Sequence, residues 1–517
     1  MEKVARPKKL QDTIIWGSLW PIVATAVLLG VAVPAAWSQG VTEIIVMTGD
    51  PAPHAITDGL FDGAFDTFSV IGIESVLNGL GQVAFFANLS GTSSGMSNDE
   101  GIFLGGSGPI TRIAREFGAF LHTINPTVDI NDAGQVAYQS INLSGAGILR
   151  NSDGTPLTQI VSEGDAAPDG DGFMGNIFMR RSMNGSGQVA FEANLTNTVN
   201  NTGIFRGSGG ALTQIVRRGD PAPDANRVID SVFVGGLNES GEVGFHANLS
   251  NTTSGNADTG IFRSAGSVVT RIARAGDAAP DGNGVFSSFF SPTLLNDLGQ
   301  VTFHGVFSFF NDDGIFRGSG GPLTQIVRTG DPAPDGDGVF SGFSLRDMNS
   351  AGQVMFEANL TATSNGRGIF LGDGIDVMQV ARVDQSLAGS TIAILGQFTS
   401  SLNDAGQVVY NAVLSNGNHV IARFTPLLPG DFDSDGVVNC DDIDLIRDAI
   451  LASTSDSIFD VDGMDSDIPT ESDFDYLITA IIGTGHGDAD LNKIINFADF
   501  VPLANNFRQT DTTWKEG

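Results

Sequence analysis

Asn184-Gly185-Ser186-Gly187-Gln188-Val189-Ala190-Phe191-Glu192-Ala193-Asn194-Leu195 is the stretch that decides the fold. It opens with a tight-turn sequence, Asn first and Gly fourth. Asn bonds back to its own backbone, and Gly tolerates the conformation that leaves the turn. Val189, Phe191, Ala193 and Leu195 then alternate with Ala190, Glu192 and Asn194, a period of two that predicts a β-strand. The signature N-x-x-G-[QE]-V recurs at Asn78, Asn131, Asn184, Asn238, Asn296, Asn349 and Asn403, with spacings of 53, 53, 54, 58, 53 and 54 residues. A strand-rich period of this length predicts a propeller or an array of units that bury their faces on one another.

Each unit predicts four strands in fixed order. In the third these are a run from about Ile177 to Met183, Gln188 to Leu195, Gly203 to Arg206 and Leu212 to Arg217, followed by the loop Gly219-Asp220-Pro221-Ala222-Pro223-Asp224. The fourth type appears after Pro109 and at Leu157, Leu212, Val268, Leu323 and Ile375, which is six copies for seven turns. The unit from Asn403 to Phe424 stops short of it. The missing copy is at the other end of the chain, Val41 to Asp50, followed by Pro51-Ala52-Pro53. The expected fold is therefore all-β, a seven-bladed β-propeller over residues 41–426 closed by the N-terminal strand, because closure removes exposed strand edges. An open solenoid would need capping units at both ends, and none is visible.

Asn78 to Phe85 (N-G-L-G-Q-V-A-F), Asn131 to Tyr138 (N-D-A-G-Q-V-A-Y) and Asn184 to Phe191 resemble the tandem N-x-x-G-x-x-A-F repeats of a group of exported bacterial proteins. Gly244, Thr302, Met355 and Val409 replace the Ala in later copies. The resemblance implies the repeat architecture and export, and no reaction.

Charge is one-sided: 26 Lys and Arg against 59 Asp and Glu give a formal net charge of -33. Nucleic acid and anionic membrane surfaces, which need clustered basic residues, are excluded as natural partners. Residues 1–38 read as a signal peptide: Lys3, Arg6, Lys8 and Lys9, an apolar run from about Ile14 to Ala36, then Ala36-Trp37-Ser38 before a cut at Gln39. The alternative is an uncleaved membrane anchor, the only route to a membrane association. Either way the mature protein is expected outside the cytoplasm, secreted or on the cell surface. Cys440 is the only cysteine, so no internal disulfide stabilises the fold.

The texture changes at Gly430. Residues 431–517 hold 20 acidic against 4 basic residues. Asp431, Asp433, Asp435, Asn439 and Asp442 occupy positions 1, 3, 5, 9 and 12 of a calcium loop, with Gly436 at the sharp turn and the Val437 carbonyl at position 7. That spacing wraps the six to eight oxygens that Ca2+ takes around one ion. A helix is expected to leave it from Ile443 to Leu451. A second loop offers Asp488, Asp490, Asn492, Asn496 and Asp499 with the Ile494 carbonyl, and Lys493 in place of the turn glycine. Asp460, Asp462, Asp465, Asp467 and Asp473 form a stretched middle copy, expected to be structural.

Loops that end in Asp and lead into short helices resemble the type I dockerin module. The resemblance implies a small α-helical EF-hand or dockerin-like domain over 430–508, with a tail at 509–517, that binds Ca2+ and a cohesin-like or surface-assembly protein. Dockerin recognition positions 10 and 11 hold Cys440-Asp441 and Phe497-Ala498 here, where small hydroxylic residues are usual.

No catalytic motif is present. The six histidines, His54, His122, His246, His304, His419 and His486, are dispersed, and His246 and His304 sit at matching places in successive units. The G-D-x-A-P-D loops read as turn chemistry, against the alternative of a rim of carboxylates for a cation. Residues that break the repeat, Glu74, Arg180-Arg181 and Arg346-Asp347, are expected to face the channel. The expected function is an exported binding or scaffold protein; the alternative is a polysaccharide-active enzyme that uses the channel and needs two opposed carboxylates.

Overall fold

Each repeat folds as a four-stranded antiparallel sheet, and the strand that begins with the signature valine is the second of the four. The computed structural model describes residues 40–53, 67–90, 100–106, 108–115, 123–142, 145–151, 157–223, 227–250, 258–266, 268–308, 312–363, 366–395, 400–426, 430–432, 438–454, 459, 461 and 469–483. Blade 3 shows the pattern: Phe173–Met183, Val189–Thr196, Thr202–Gly207 and Thr213–Arg217, hydrogen-bonded in that order. Blades 1, 2, 4, 5 and 6 have first strands at Thr67–Leu77, Thr123–Ile130, Val228–Leu237, Ser288–Leu295 and Val339–Met348.

Blade 7 is assembled from both ends of the ring. Ser390–Leu395 and Ser401–Leu402 flank Val408–Leu414, His419–Pro426 follows, and Gly40–Met47 completes the sheet. That N-terminal strand pairs antiparallel with the third one, from Gly40 opposite Pro426 to Met47 opposite Val420. The closure expected from the orphan strand at Val41 is the one observed.

The valine of the signature fixes each blade in the core. Val83, Val136, Val189, Val243, Val301, Val354 and Val408 are all completely buried. Two residues on, an aromatic ring packs against a third-strand phenylalanine: Phe191 on Phe205 at 5.9 Å, Phe245 on Phe262 at 5.5 Å and Phe356 on Phe370 at 5.8 Å. Each such buried ring contributes about 1.5–3 kcal/mol.

The signature asparagine does more than make a turn. Asn78 Oδ1 accepts the N–H of Gln82 at 2.9 Å, and Nδ2 donates to Gln82 Oε1 at 2.9 Å and to the backbone carbonyl of Asn131 in the next blade at 3.1 Å. The same step joins Asn131 to Asn184, Asn184 to Asn238, and Asn238 to Asn296, each at 3.2 Å. It continues from Asn296 to Asn349 at 3.4 Å, from Asn349 to Asn403 at 3.2 Å, and returns from Asn403 to Asn78 at 3.1 Å. Seven buried amides thus form a closed hydrogen-bonded ring. The fourth-position glycine exits each turn in the left-handed region, with φ of 76° at Gly81 and 73° at Gly187.

Beyond the ring, helix Cys440–Ala452 starts three residues before the expected exit helix, and a second helix, Glu471–Tyr476, continues as a π-helical turn over Leu477–Ile482. Ile443, Ile446, Leu477 and Ile478 bury one another between them. Among the described residues no helix is long and apolar enough to cross a membrane.

Candidate functional site

The first strands of consecutive blades touch one another around the ring, so their free edges border the central channel. The repeated acidic loops lie elsewhere, where a fourth strand hands the chain to the next blade, and their carboxylates are already occupied. The first Asp of the loop caps the strand before it: Asp50, Asp165, Asp220 and Asp331 accept the N–H groups of Met47, Ser162, Arg217 and Arg328 at 2.7–2.8 Å. The second Asp meets the buried arginine that ends the following fourth strand. Asp169 pairs with Arg217, Asp281 with Arg328 at 2.8 Å, and Asp335 with Arg382. Arg274 is instead held by Asp258 at 2.7 Å. Turn chemistry is therefore only half of what these loops do. The other half is an ion-pair network that ties three of these loops to the next outer strand.

The residues that break the repeat divide in two. Glu74 accepts the N–H of Val128 in the next blade at 3.3 Å. Asp347 accepts the hydroxyl of Ser401 and the N–H of Leu402, also in the next blade, at 2.8 and 2.9 Å. Arg346 donates twice to the buried Glu357, which Arg367 also reaches. These are joints between strands and blades. Arg180 is different: it is exposed on the first strand of blade 3, and its guanidinium has no hydrogen-bond or ion-pair partner among the described residues. The Arg181 side chain lies outside them.

Eight residues after the signature asparagine, the second strand carries a buried or half-buried group that in several blades meets the first strand of the following blade and in others a strand of its own blade. Gln139 donates to the Ile177 carbonyl at 2.7 Å. His246 Nδ1 lies 3.1 Å from the Ser291 hydroxyl, and His304 Nε2 lies 2.7 Å from Asp313 Oδ2. Burial pushes His246 down to about 4, so it is neutral at physiological pH. Burial also raises the Glu192 carboxyl; Arg180 and a hydrogen bond from the Val234 backbone oppose the rise without cancelling it. Asp313 moves the other way. Desolvation alone would raise it, but hydrogen bonds from His304 and Thr329 hold it below the usual range.

Directly across from Glu192, His246 and His304 in register stand Phe178, Phe233 and Phe290, one on the first strand of each of blades 3, 4 and 5. Phe178 is 44% exposed and Phe290 54%, each mid-strand on a first strand of the kind that borders the channel. Phe233 stacks on His246 at 5.3 Å, and Phe290 leans over His304 at 5.0 Å. Sequence reading missed this wall. Its signal was an aromatic five or six residues before the signature in four successive units, Phe178, Phe233, Phe290 and Phe343, visible once the units are stacked.

A second concavity marks the joint of blades 6 and 7. In five blades a third-strand arginine reaches the carbonyl of the next blade's fourth-position glycine: Arg150 to Gly187, Arg206 to Gly241, Arg263 to Gly299, Arg317 to Gly352 and Arg423 to Gly81, while blade 1 carries Leu104 at that place. Leu371 replaces it before Gly406, and a groove of about 410 Å³ opens there, lined in part by Leu371, Asp373, Gln379, Asp404 and Phe424.

Of the calcium-loop residues, Asp431, Asn439 and Asp442 are described. Asp442 is buried and closes the loop on itself, Oδ1 accepting the Phe432 N–H at 2.6 Å and Oδ2 that of Asn439 at 2.8 Å. Asn439 caps the helix by accepting from Asp441 N–H. Asp473 of the middle copy repeats the arrangement on Thr470 at 2.8 Å. Asp433, Asp435, Val437, Asp488, Asp490, Asn492, Ile494, Asn496 and Asp499 lie outside the described residues, as do the signal segment and His54, His122 and His486. Among the described residues no three His, Cys, Asp or Glu converge on a point where a metal would fit.

Comparison with solved structures finds distant likenesses. An oligogalacturonate lyase in complex with manganese is 11% identical, over 75% of this chain and 98% of that one, with a TM-score of 0.40. The polysaccharide lyase Uly1 is 10% identical over 75% and 98%, with a TM-score of 0.37. Trypanosoma rangeli sialidase is 9% identical over 80% of this chain, which spans 63% of the sialidase's length, with a TM-score of 0.33. None of these bears on activity. No curated protein matches the sequence. The match that does place it covers residues 33–310 and 305–367, most of the propeller, and by it the chain belongs to a family of unknown function, DUF7453.

Proposed function

We propose that this is an exported binding or scaffold protein, a rigid seven-bladed ring that offers its channel to a ligand and is displayed through a calcium-dependent, dockerin-like C-terminal module. One observation carries the reading. The polar groups that recur with the repeat are spent on holding the ring together, while the groups left uncommitted, Arg180, Phe178 and Phe290, gather on the channel side. That is the division of labour of a binding scaffold, in which a few unrepeated groups on a rigid frame meet the ligand.

The described part of the first acidic loop fits calcium. Asp431 and Asp442 are buried carboxylates at its two ends, and the Phe432 hydrogen bond brings those ends together. Asp431, Asp433, Asp435, Asn439, Asp442 and the Val437 carbonyl would hold the ion, and Asp488, Asp490, Asn492, Asn496, Asp499 and the Ile494 carbonyl a second. Bound Ca2+ would neutralise carboxylates that otherwise repel, coupling binding to folding. A cohesin-like or surface-assembly protein is the partner such a module would take.

The competing reading, a polysaccharide-active enzyme, has one observation in its favour: Glu192, a carboxyl raised by burial beside the channel. A glycosidase needs a second carboxylate opposed to it. A polysaccharide screen of the mature full chain, with and without calcium, reads binding and product release together. Retention without cleavage is expected, and release of product would replace this reading with the enzymatic one. In the same samples calcium should raise the unfolding temperature of the C-terminal module by a clear margin, as any ion bound only by the native state must. Identical unfolding curves would remove the calcium part.

A further inference from the structure

We infer that the channel wall of blades 3 to 5 is a binding site for a polysaccharide that carries carboxylate groups. The inference rests on the binding reading above and names its ligand.

The first strand of blade 3 alternates buried Ile177 and Met179 with exposed Asn176, Phe178 and Arg180, so an amide, an aromatic ring and a guanidinium project from one face of the strand that borders the channel. Phe290 repeats the exposed ring two blades on, and Phe233 stands between them, its ring fixed flat against His246. An exposed phenylalanine in the middle of a strand gives up part of the stabilisation that burial of its ring would bring. Two of them at one register, more exposed than the half-buried Phe233 and Phe343 on neighbouring first strands, mark a surface that something else covers.

The chemistry of that surface selects the cover. A pyranose ring has a flat apolar C–H face that suits the electron-rich face of phenylalanine, with hydroxyls at its rim for an amide and a guanidinium. Platforms recurring on successive blades suit a chain of repeating units better than a single small molecule. Arg180 adds the charge preference: its guanidinium feels the field of Glu192 but makes no hydrogen bond or ion pair among the described residues, which leaves its paired N–H donors free for a carboxylate. The net charge of -33 does not forbid this, because at physiological salt fields are screened beyond about 8 Å and the nearest groups decide.

The test uses the full chain, a hexameric galacturonate and its carboxyl-reduced neutral form, with affinity read by calorimetry. The acidic oligosaccharide should bind, and the reduced form at least roughly tenfold more weakly, since a charge-assisted pair is lost. Phe178→Ala and Phe290→Ala should each weaken binding roughly two- to tenfold, the worth of one aromatic contact. Arg180→Gln should erase the preference for the acidic form. All three side chains are exposed, so thermal unfolding should match the parent and separate lost affinity from lost fold. Absence of binding, equal binding of both oligosaccharides, or binding untouched by these variants would overturn the site. A different ligand retained equally by parent and variants would overturn it too while leaving the binding reading intact. Cleavage of the acidic oligosaccharide that the three variants abolish would keep the site and remove the binding reading.

Discussion

The two rims of the propeller are built from equally repetitive motifs, yet they hold the blades together in opposite ways. On the rim of the signature turns, seven neutral asparagine amides pass hydrogen bonds from blade to blade until the last returns to the first. On the rim of the acidic loops, buried arginines meet carboxylates, and the pattern varies: Arg217 and Arg382 each meet two loop aspartates, Arg328 adds Asp312, and Arg274 relies on Asp258. The difference follows from position. A ring of bonds near the axis has no spare member, since one gap breaks the circuit. An ion pair at the periphery serves a single joint and can be rebuilt from another side chain.

The charged rim is where a single change should cost most. Asp258 and Arg274 are both nearly inaccessible to water, and their two contacts are 2.7 and 2.8 Å long. Asp258→Ala removes the principal counter-charge of a buried guanidinium, which also engages Arg227. Denaturant unfolding should show a loss of about 3 kcal/mol, in the range found when one partner of a buried pair is deleted. A loss below about 1 kcal/mol would mean that Arg274 finds other acceptors and that the outer network is as replaceable as a surface ion pair.

The neutral ring should answer to the loss of a donor rather than of a charge. In Asn296→Asp the buried side chain keeps its turn bond from Gln300 N–H, but it no longer donates to Gln300 Oε1 or to the Asn349 carbonyl. Two acceptors are then left facing an acceptor, and about 2 kcal/mol of stability should go. If Asn296→Asp proves silent in the same measurement, the circuit is decoration and the turn alone explains the conserved spacing of the repeat.

Most of the frame was legible in the sequence because its causes are local. Period-two alternation gave the second strands, turn residues gave the joints, and the strand left over at Val41 gave the closure. The asparagine circuit was not legible, because the partner of each Asn lies 53 to 58 residues away and its role looks complete once the turn is made. A similar separation, 48 and 47 residues, hid the destinations of Asp169 and Asp335. Glu74 and Asp347 were expected in the channel because they interrupt the repeat on a first strand. They turn instead to the backbone of the next blade, a choice that depends on bulges in that strand rather than on its alternation. Phe178 and Phe290 look like ordinary core residues until the structure shows both rings about half exposed.

The finest distinction between the rims lies at the fifth signature position, where six units carry Gln and the unit at Asn238 carries Glu242. Only one acceptor oxygen is required there: Glu242 Oε2 takes the Asn238 Nδ2 donor at 2.9 Å, and Gln300 Oε1 takes that of Asn296 at the same distance. Arg263 stands 3.9 Å from Glu242, and Arg317 occupies the matching place beside Gln300, both converging on Gly352. Gln300→Glu therefore keeps the acceptor and meets a cation already in position. Stability at pH 7 should change by less than about 0.5 kcal/mol, the size of a partly exposed ion pair. A loss above about 1.5 kcal/mol would show that the amide N–H₂ of Gln300 is also needed. The tolerance of this position, set against the intolerance expected one hydrogen bond away at Asn296, would then have to be explained by something other than donor and acceptor count.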